Sequence, residues 1–157
     1  MNKLQIAGKI NMSTVNGNGI RYCLFLSGCP FNCPECHNLE AKNYDYGIKE
    51  DIVEIFNDIY KKRHYLDGVS ISGGEPTEQS ITLLKLLKLL KAININVWMW
   101  SGYTFTELEQ KYSDILNYVD TVIDGCYQKD KPTKKPHRGS DNQIRWEKID
   151  GKWNKID

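Results

Sequence analysis

Cys29, Cys33 and Cys36 fall in one short stretch, Cys29-Pro-Phe-Asn-Cys33-Pro-Glu-Cys36, a C-x3-C-x2-C triplet with no fourth cysteine close behind. Three thiolates can hold three irons of a 4Fe-4S cluster and leave the fourth iron open. An open iron is a place for chemistry, because a small molecule bound there can receive an electron while neighbouring protein groups tune the metal. A closed zinc site is the competing reading, with His37 as fourth ligand. His37 directly follows Cys36, however, and adjacent side chains rarely close one tetrahedral site. The zinc reading makes the chain a non-catalytic, zinc-stabilised interaction module.

A second motif, Ser72-Gly73-Gly74-Glu75-Pro76, comes directly after the apolar run Val69-Ser70-Ile71. Taken with the cysteine triplet it resembles the radical S-adenosylmethionine (SAM) superfamily. The likeness narrows to the anaerobic ribonucleotide reductase activating proteins. It is carried by Val15-Asn16-Gly17-Asn18-Gly19-Ile20-Arg21, by Cys29 to Asn38, by Asp120 to Gly125 and by Arg138-Gly139-Ser140-Asp141-Asn142-Gln143. Two positions depart from the pattern. Glu35 stands where many superfamily members carry an aromatic residue, and Asp124-Gly125-Cys126-Tyr127 stands where related activating proteins often read Asp-Gly-Pro-Phe.

The resemblance implies that Cys29, Cys33 and Cys36 ligate the cluster and that SAM chelates its open iron. Reductive cleavage of SAM would then give methionine and a 5′-deoxyadenosyl radical, which installs a glycyl radical on the large subunit of anaerobic ribonucleoside-triphosphate reductase. An electron donor such as flavodoxin or ferredoxin is implied as well. Gly73 and Gly74 lack a Cβ and let backbone approach a ligand closely, while Glu75 or its neighbouring carbonyls can accept hydrogen bonds from the SAM ammonium. Pro76 fixes the turn that follows. Ser101, past the third strand, and Asp124 or Asp120, around the last, are placed to bind the ribose or adenine. An activase of another glycyl-radical enzyme is the nearest alternative. The Arg138 to Gln143 segment and the lack of a second cysteine cluster favour the reductase.

The chain that must position these groups has 157 residues, enough for one domain spanning 1–157 but too short for a complete eight-fold barrel of about 250 residues. With 21 basic and 20 acidic residues its formal net charge is +1, which provides no field for steering onto nucleic acid. A protein or small-molecule partner is expected, not a nucleic acid or a membrane. Met1 to Ile10 lacks the apolar stretch of a signal peptide, so a cytoplasmic location is expected, where clustered cysteines read as metal ligands and not as disulfides.

Along the chain, Ile20 to Leu26 reads as a buried strand leading into the cysteine loop. Lys49 to Arg63 places Ile52, Ile55, Phe56, Ile59 and Tyr60 at helical spacing. The pattern repeats as strand 68–72, helix 78–92, strand 95–100, helix 104–116 and strand 121–124, and Thr104 with Glu107 has capping-box spacing. Alternating strands and helices imply a parallel sheet with ligands beyond the carboxyl ends of the strands. The expected fold is therefore α/β, an incomplete (βα) barrel of the radical SAM type. Residues 129–142 read as a mobile basic loop and 143–157 as a C-terminal β-hairpin around Asp150-Gly151.

The remaining chemistry-bearing residues have plainer readings. Cys23, inside a strand, is expected to be a small core residue. Cys126 is read as a packing residue, since nothing in the sequence lowers its pKa. The lysines interleaved with Leu83 to Leu90 are the solvated stripe of a barrel helix, and Trp98 and Trp100 are sheet-face residues before they are stacking platforms.

Overall fold

The structure is a computed structural model that describes residues 2–33 and 39–156. Its strands and helices are β1 (Lys3–Ser13), β2 (Arg21–Leu26), β3 (Ile48–Asp51), α1 (Ile52–Lys62), β4 (Gly68–Gly73), α2 (Ser80–Ala92), β5 (Val97–Trp100), α3 (Phe105–Lys111), α4 (Ser113–Leu116), β6 (Thr121–Asp124), β7 (Ile144–Ile149) and β8 (Lys152–Lys155). Among the described residues the strands form one sheet in the order β3-β1-β2-β4-β5-β6-β7-β8.

The four central strands, β2, β4, β5 and β6, are parallel, so their carboxyl ends share one edge. Both wings are antiparallel: β1 and β3 flank β2, while β7 and β8 flank β6. The parallel sheet expected from the alternating pattern is thus the centre of a mixed sheet. It does not close, because β3 and β8 end it on opposite sides.

Side-chain parity explains why the helices cover one face. Tyr22, Leu24 and Leu26 of β2, Val69 and Ile71 of β4, Val97 and Met99 of β5 and Val122 of β6 point the same way. They share a core with Ile55 and Ile59 of α1, Leu83, Leu86, Leu87 and Leu90 of α2, and Leu108, Ile115 and Leu116. The opposite parity presents Arg21, Cys23 and Phe25, Ser70 and Ser72, and Trp98 and Trp100 on the other face. Arg21 lies across that face, donating from Nε to Ser70 Oγ at 2.8 Å with its guanidinium carbon 5.3 Å from the Trp98 ring. Cys23 is buried, as its place in a strand implied.

Several boundaries differ from the sequence expectation for physical reasons. Residues 49–51, read as the start of a helix, pair with β1 instead as part of β3, and Asp51 caps α1 by accepting from Val53 N at 2.8 Å. The first strand carries little apolar signal because only Leu4, Ile6 and Ser13 along it are buried. The helix expected over 104–116 divides at Tyr112, whose backbone leaves the helical region at φ −136° while its ring packs 5.7 Å from Tyr103. The Thr104–Glu107 capping box forms in full. At the hairpin Asp150 and Gly151 both take positive φ, as a type I′ turn requires. No helix among the described residues is long and apolar enough to cross a membrane.

Candidate functional site

Each parallel strand delivers one piece of the site at the shared edge: β2 runs into Ser27-Gly28-Cys29, β4 into Gly73-Gly74-Glu75, β5 into Ser101-Gly102, and β6 into Gly125-Cys126. Backbone hydrogen bonds sew the cysteine loop to its neighbours. Gly28 N donates to Ala41 O at 2.7 Å, Gly74 N to Leu26 O at 2.8 Å, and Glu75 N to Gly28 O at 2.8 Å. The glycine pair makes this possible. Gly73 has φ +115°, and a Cβ on Gly74 would lie 2.5 Å from Gly28 O and 2.7 Å from Ala41 O. The close approach that Gly73-Gly74 permits is therefore first to the cysteine loop itself.

These ends surround a cavity of about 520 Å³ lined by Cys29, Cys33, Gly73, Gly74, Glu75 and Cys126, with Phe25, Trp100 and Tyr127 as aromatic walls. The size falls within the ~300–1,000 Å³ typical of small-ligand sites. Cys36, like Glu35 and His37, lies outside the described residues. Cys126 lines the cavity with Cys29 and Cys33, its thiol donating to Gly102 O at 3.5 Å. Burial, and then the neighbouring Cys33, push the Cys126 pKa up to about 12. It remains a thiol at neutral pH.

Glu75 is fully buried, and its carboxylate is a hub. It accepts from Thr77 N at 3.2 Å, Thr77 Oγ1 at 2.6 Å, Gly102 N at 2.7 Å, and Ser101 Oγ at 3.0 Å to both oxygens. Burial raises its pKa above the usual carboxylate range, against the opposing pull of those donors. Through Glu75 the end of β4 holds the end of β5 in place.

Of the residues singled out in the sequence, Gly73, Gly74 and Glu75 line the cavity with Cys29 and Cys33. Ser101 stands behind Glu75. Asp124 is buried in a different set of contacts, accepting from Phe105 N at 2.8 Å, Ile144 N at 3.0 Å and Trp146 Nε1 at 3.2 Å. It ties β6 to α3 and β7. Asp120 lies at the other end of β6, where its Oδ2 accepts from Val97 N at 2.9 Å. Pro76 opens the short 3₁₀ turn Pro76–Gln79.

The Arg138 to Gln143 segment acts as a clip. The Gln143 amide accepts from Gly139 N at 2.8 Å and Ser140 N at 3.2 Å and donates to Gly125 O at 2.8 Å, while Asn142 Nδ2 donates to Cys126 O at 2.8 Å. The rim of the cavity after β6 is thereby held to the far end of the 125–143 connection.

The cavity also takes residues that sequence reasoning did not single out one by one, among them Asn16, Trp100, His137 and Arg138. The only signal was membership of a resembling segment for Asn16 and Arg138, of a strand for Trp100 and of the 129–142 loop for His137, because they meet through chain crossings over the sheet face that no local pattern records. His137 takes φ +65°, accepts from Gly17 N at 3.3 Å, and packs edge-to-face on Trp98 with ring centroids 5.2 Å apart. Burial lowers its pKa, aided by Arg145, Arg138 and Arg21, against a hydrogen bond to the Val15 backbone. The folded chain thus binds this proton more weakly than the unfolded chain does. Its contribution to stability is fully present above the ordinary histidine pKa of about 6.5 and is lost as pH falls from there through the lowered value of the folded chain. His137→Asn suits the positive φ and is expected to flatten that slope, measured as urea midpoints between pH 5 and pH 8. An unchanged slope would contradict the assignment.

Three comparisons bear on this site. A family model described as a 4Fe-4S single cluster domain matches residues 15–146. The anaerobic ribonucleoside-triphosphate reductase-activating protein of Enterobacteria phage T4 is 36% identical over 146 residues, covering 88% of this chain and 91% of that protein. Its namesakes from Haemophilus influenzae and Escherichia coli K12 are each 34% identical, covering 83% of this chain and 89% and 90% of theirs. Among solved structures, QueE from Escherichia coli aligns with a TM-score of 0.52 at 18% identity, over 65% of this chain and 53% of that one, a likeness of fold.

Proposed function

The chain belongs to the anaerobic ribonucleoside-triphosphate reductase-activating protein family, and from that premise we propose that it is a radical SAM activase of anaerobic ribonucleoside-triphosphate reductase. Cys29, Cys33 and Cys36 hold a 4Fe-4S cluster in this reading, and SAM lies in the adjoining cavity. The observation that carries it is the meeting of Cys29 and Cys33 with Gly73-Gly74 around one cavity at the carboxyl edge of the parallel strands. A thiol-bearing loop beside backbone free of Cβ atoms suits a cluster with an adjoining organic ligand.

The chemistry supplied by the bound cofactors is one-electron reduction of the SAM sulfonium, giving methionine and a 5′-deoxyadenosyl radical that takes a Cα hydrogen from a glycine of the reductase. The chain's own part is placement. Gly73 and Gly74 leave backbone at the cavity wall, where its carbonyls would receive the SAM ammonium. Glu75 locks Ser101 and Gly102, and Pro76 and Asp124 fix the turns after β4 and β6, so that the ribose and adenine meet a rigid edge. Phe25, Trp100 and Tyr127 shield the reacting atoms from water. The electron comes from a donor such as flavodoxin or ferredoxin.

Anaerobic reconstitution with iron and sulfide, reduction with dithionite, and assay of 5′-deoxyadenosine and methionine from SAM test the reading. A brown protein that cleaves SAM, and that produces a glycyl radical by EPR when mixed with the anaerobic reductase, is the expected result. A colourless protein holding stoichiometric zinc and leaving SAM intact would sink it. Radical formation on another glycyl-radical enzyme but not on the reductase would move the partner assignment.

A further inference from the structure

Phe31 stands midway between Cys29 and Cys33, two residues from each. Among the described residues, backbone hydrogen bonds hold the start of this loop, Gly28 N to Ala41 O at 2.7 Å and Cys29 N to Lys42 O at 3.2 Å, and none follows through Cys33. The Phe31 ring takes over from there. Its centroid lies 4.9 Å from that of Tyr103, edge to face at 77°, and Tyr103 packs in turn 5.7 Å from Tyr112. The ring also lies against Gly102. A Cβ at Gly102 would sit 2.6 Å from Phe31 Cδ2, 2.7 Å from Cε2 and 3.3 Å from Cγ, and these are the three atoms nearest to it. Gly102 is not among the glycines at positive φ, so its backbone does not call for glycine; the Phe31 ring does. The seat is rigid as well, because Gly102 N donates to the buried Glu75 at 2.7 Å and its carbonyl accepts from the Cys126 thiol at 3.5 Å.

We propose that Phe31, seated on Gly102, fixes the middle of the cysteine loop, so that Cys29 and Cys33 already hold their ligating arrangement when the cluster assembles. The proposal rests on the cluster assignment made above. A loop free to sample many conformations must give up that freedom to bind a metal, and the loss subtracts from the affinity. A ring packed against a fixed glycine removes the freedom during folding instead. Phe31 is a positioning residue that acts through the two cysteines, and Gly102 is its seat. Groups that orient metal ligands typically change affinity or activity about 10–100-fold when removed. One ring shares the task with two backbone hydrogen bonds, so the loss expected on cutting it away is at the lower end, about 10-fold.

The test is the lifetime of the anaerobically reconstituted cluster against an iron chelator, followed by absorbance in the full chain without SAM, for wild type, Phe31→Ala, Gly102→Ala and the double variant. Leaving SAM out separates anchoring of the loop from any contact of Phe31 with a ligand in the cavity it borders. Each single variant is expected to lose its cluster about 10-fold faster than wild type. The double variant should do no worse than the single ones, because with the ring gone the atoms nearest to a methyl group at position 102 are gone too. The melting temperature of metal-free Phe31→Ala should stay close to wild type, since Phe31 lies outside the buried core, and a large fall would make it a packing residue instead. In the metal-free wild type, an NOE from the Phe31 ring to the Gly102 Hα protons is expected. Unchanged lifetimes in a loaded Phe31→Ala protein, losses that multiply in the double variant, or absence of that NOE would overturn the assignment and leave the cluster reading standing. A wild type that takes up no iron and sulfide would sink the cluster reading, and the role given to Phe31 with it.

Discussion

Replacing Cys33 with alanine should abolish SAM cleavage, and the same holds for Cys29 and Cys36. Loss of an outer partner to a metal ligand typically costs 10–100-fold in affinity or activity, so loss of a ligand itself should exceed ~100-fold, or about 2.7 kcal/mol. Both measurements are direct: iron and sulfide per chain after anaerobic reconstitution, and 5′-deoxyadenosine released under dithionite. Cys23→Ala is the matched control, because Cys23 is buried within β2 and does not line the cavity. It should keep its cluster and lose only stability. Cleavage surviving in Cys33→Ala at more than a tenth of wild type would remove Cys33 from the ligand set.

Glu75→Ala should carry the largest stability cost at the site. The carboxylate is buried and serves the backbone N–H groups of Thr77 and Gly102 and the hydroxyls of Thr77 and Ser101. Truncation leaves those donors facing a void. Each unsatisfied buried donor costs roughly 1–3 kcal/mol before relaxation, so the set together, partly relaxed, is expected to cost about 4 kcal/mol. A loss of about 4 kcal/mol corresponds to a Tm lower by roughly 10 °C in a domain of this size. The wall formed by Ser101 and Gly102 should loosen too, so SAM cleavage falls even below the new melting point.

The pH dependence gives an independent check on Glu75. Its folded pKa is raised by burial, so the folded chain holds this proton more tightly than the unfolded chain does. Its contribution to stability therefore falls as pH rises from the ordinary glutamate range through the raised value. Glu75→Gln preserves the shape, should cost less than Ala, and should flatten that part of the profile in denaturant titrations. A profile that keeps its slope in Glu75→Gln would show that another group titrates there.

The two motifs were legible because each is compressed into a few residues whose types have few other uses. Cys29-x3-Cys33-x2-Cys36 and Ser72-Gly73-Gly74-Glu75-Pro76 announce metal and close backbone approach wherever they stand. The βα alternation was legible for a similar reason, since Leu24, Ile71 and Met99 on strands and Ile55, Ile59 and Leu83 to Leu90 on helices repeat at fixed periods. β1 was not legible, because an outer strand buries only Leu4, Ile6 and Ser13 and so lacks a clean alternation. Lys49 to Asp51 read as helix because helix and short edge strand share charged, half-exposed residues, and pairing with β1 decides between them.

Sequence alone determined the chemistry available to this protein, its fold class and the strand edge on which that chemistry gathers, because spacing and periodicity are local and survive without a partner. Tertiary structure decided the roles of individual side chains. Glu75 became a structural hub, Asp124 a tie among β6, α3 and β7, and Cys126 a donor to Gly102 O, all because burial leaves a polar group only the partners that distant strands bring to it. Such partners, 27 residues apart for Glu75 with Gly102 and 19 for Asp124 with Phe105, leave no periodic trace along the chain.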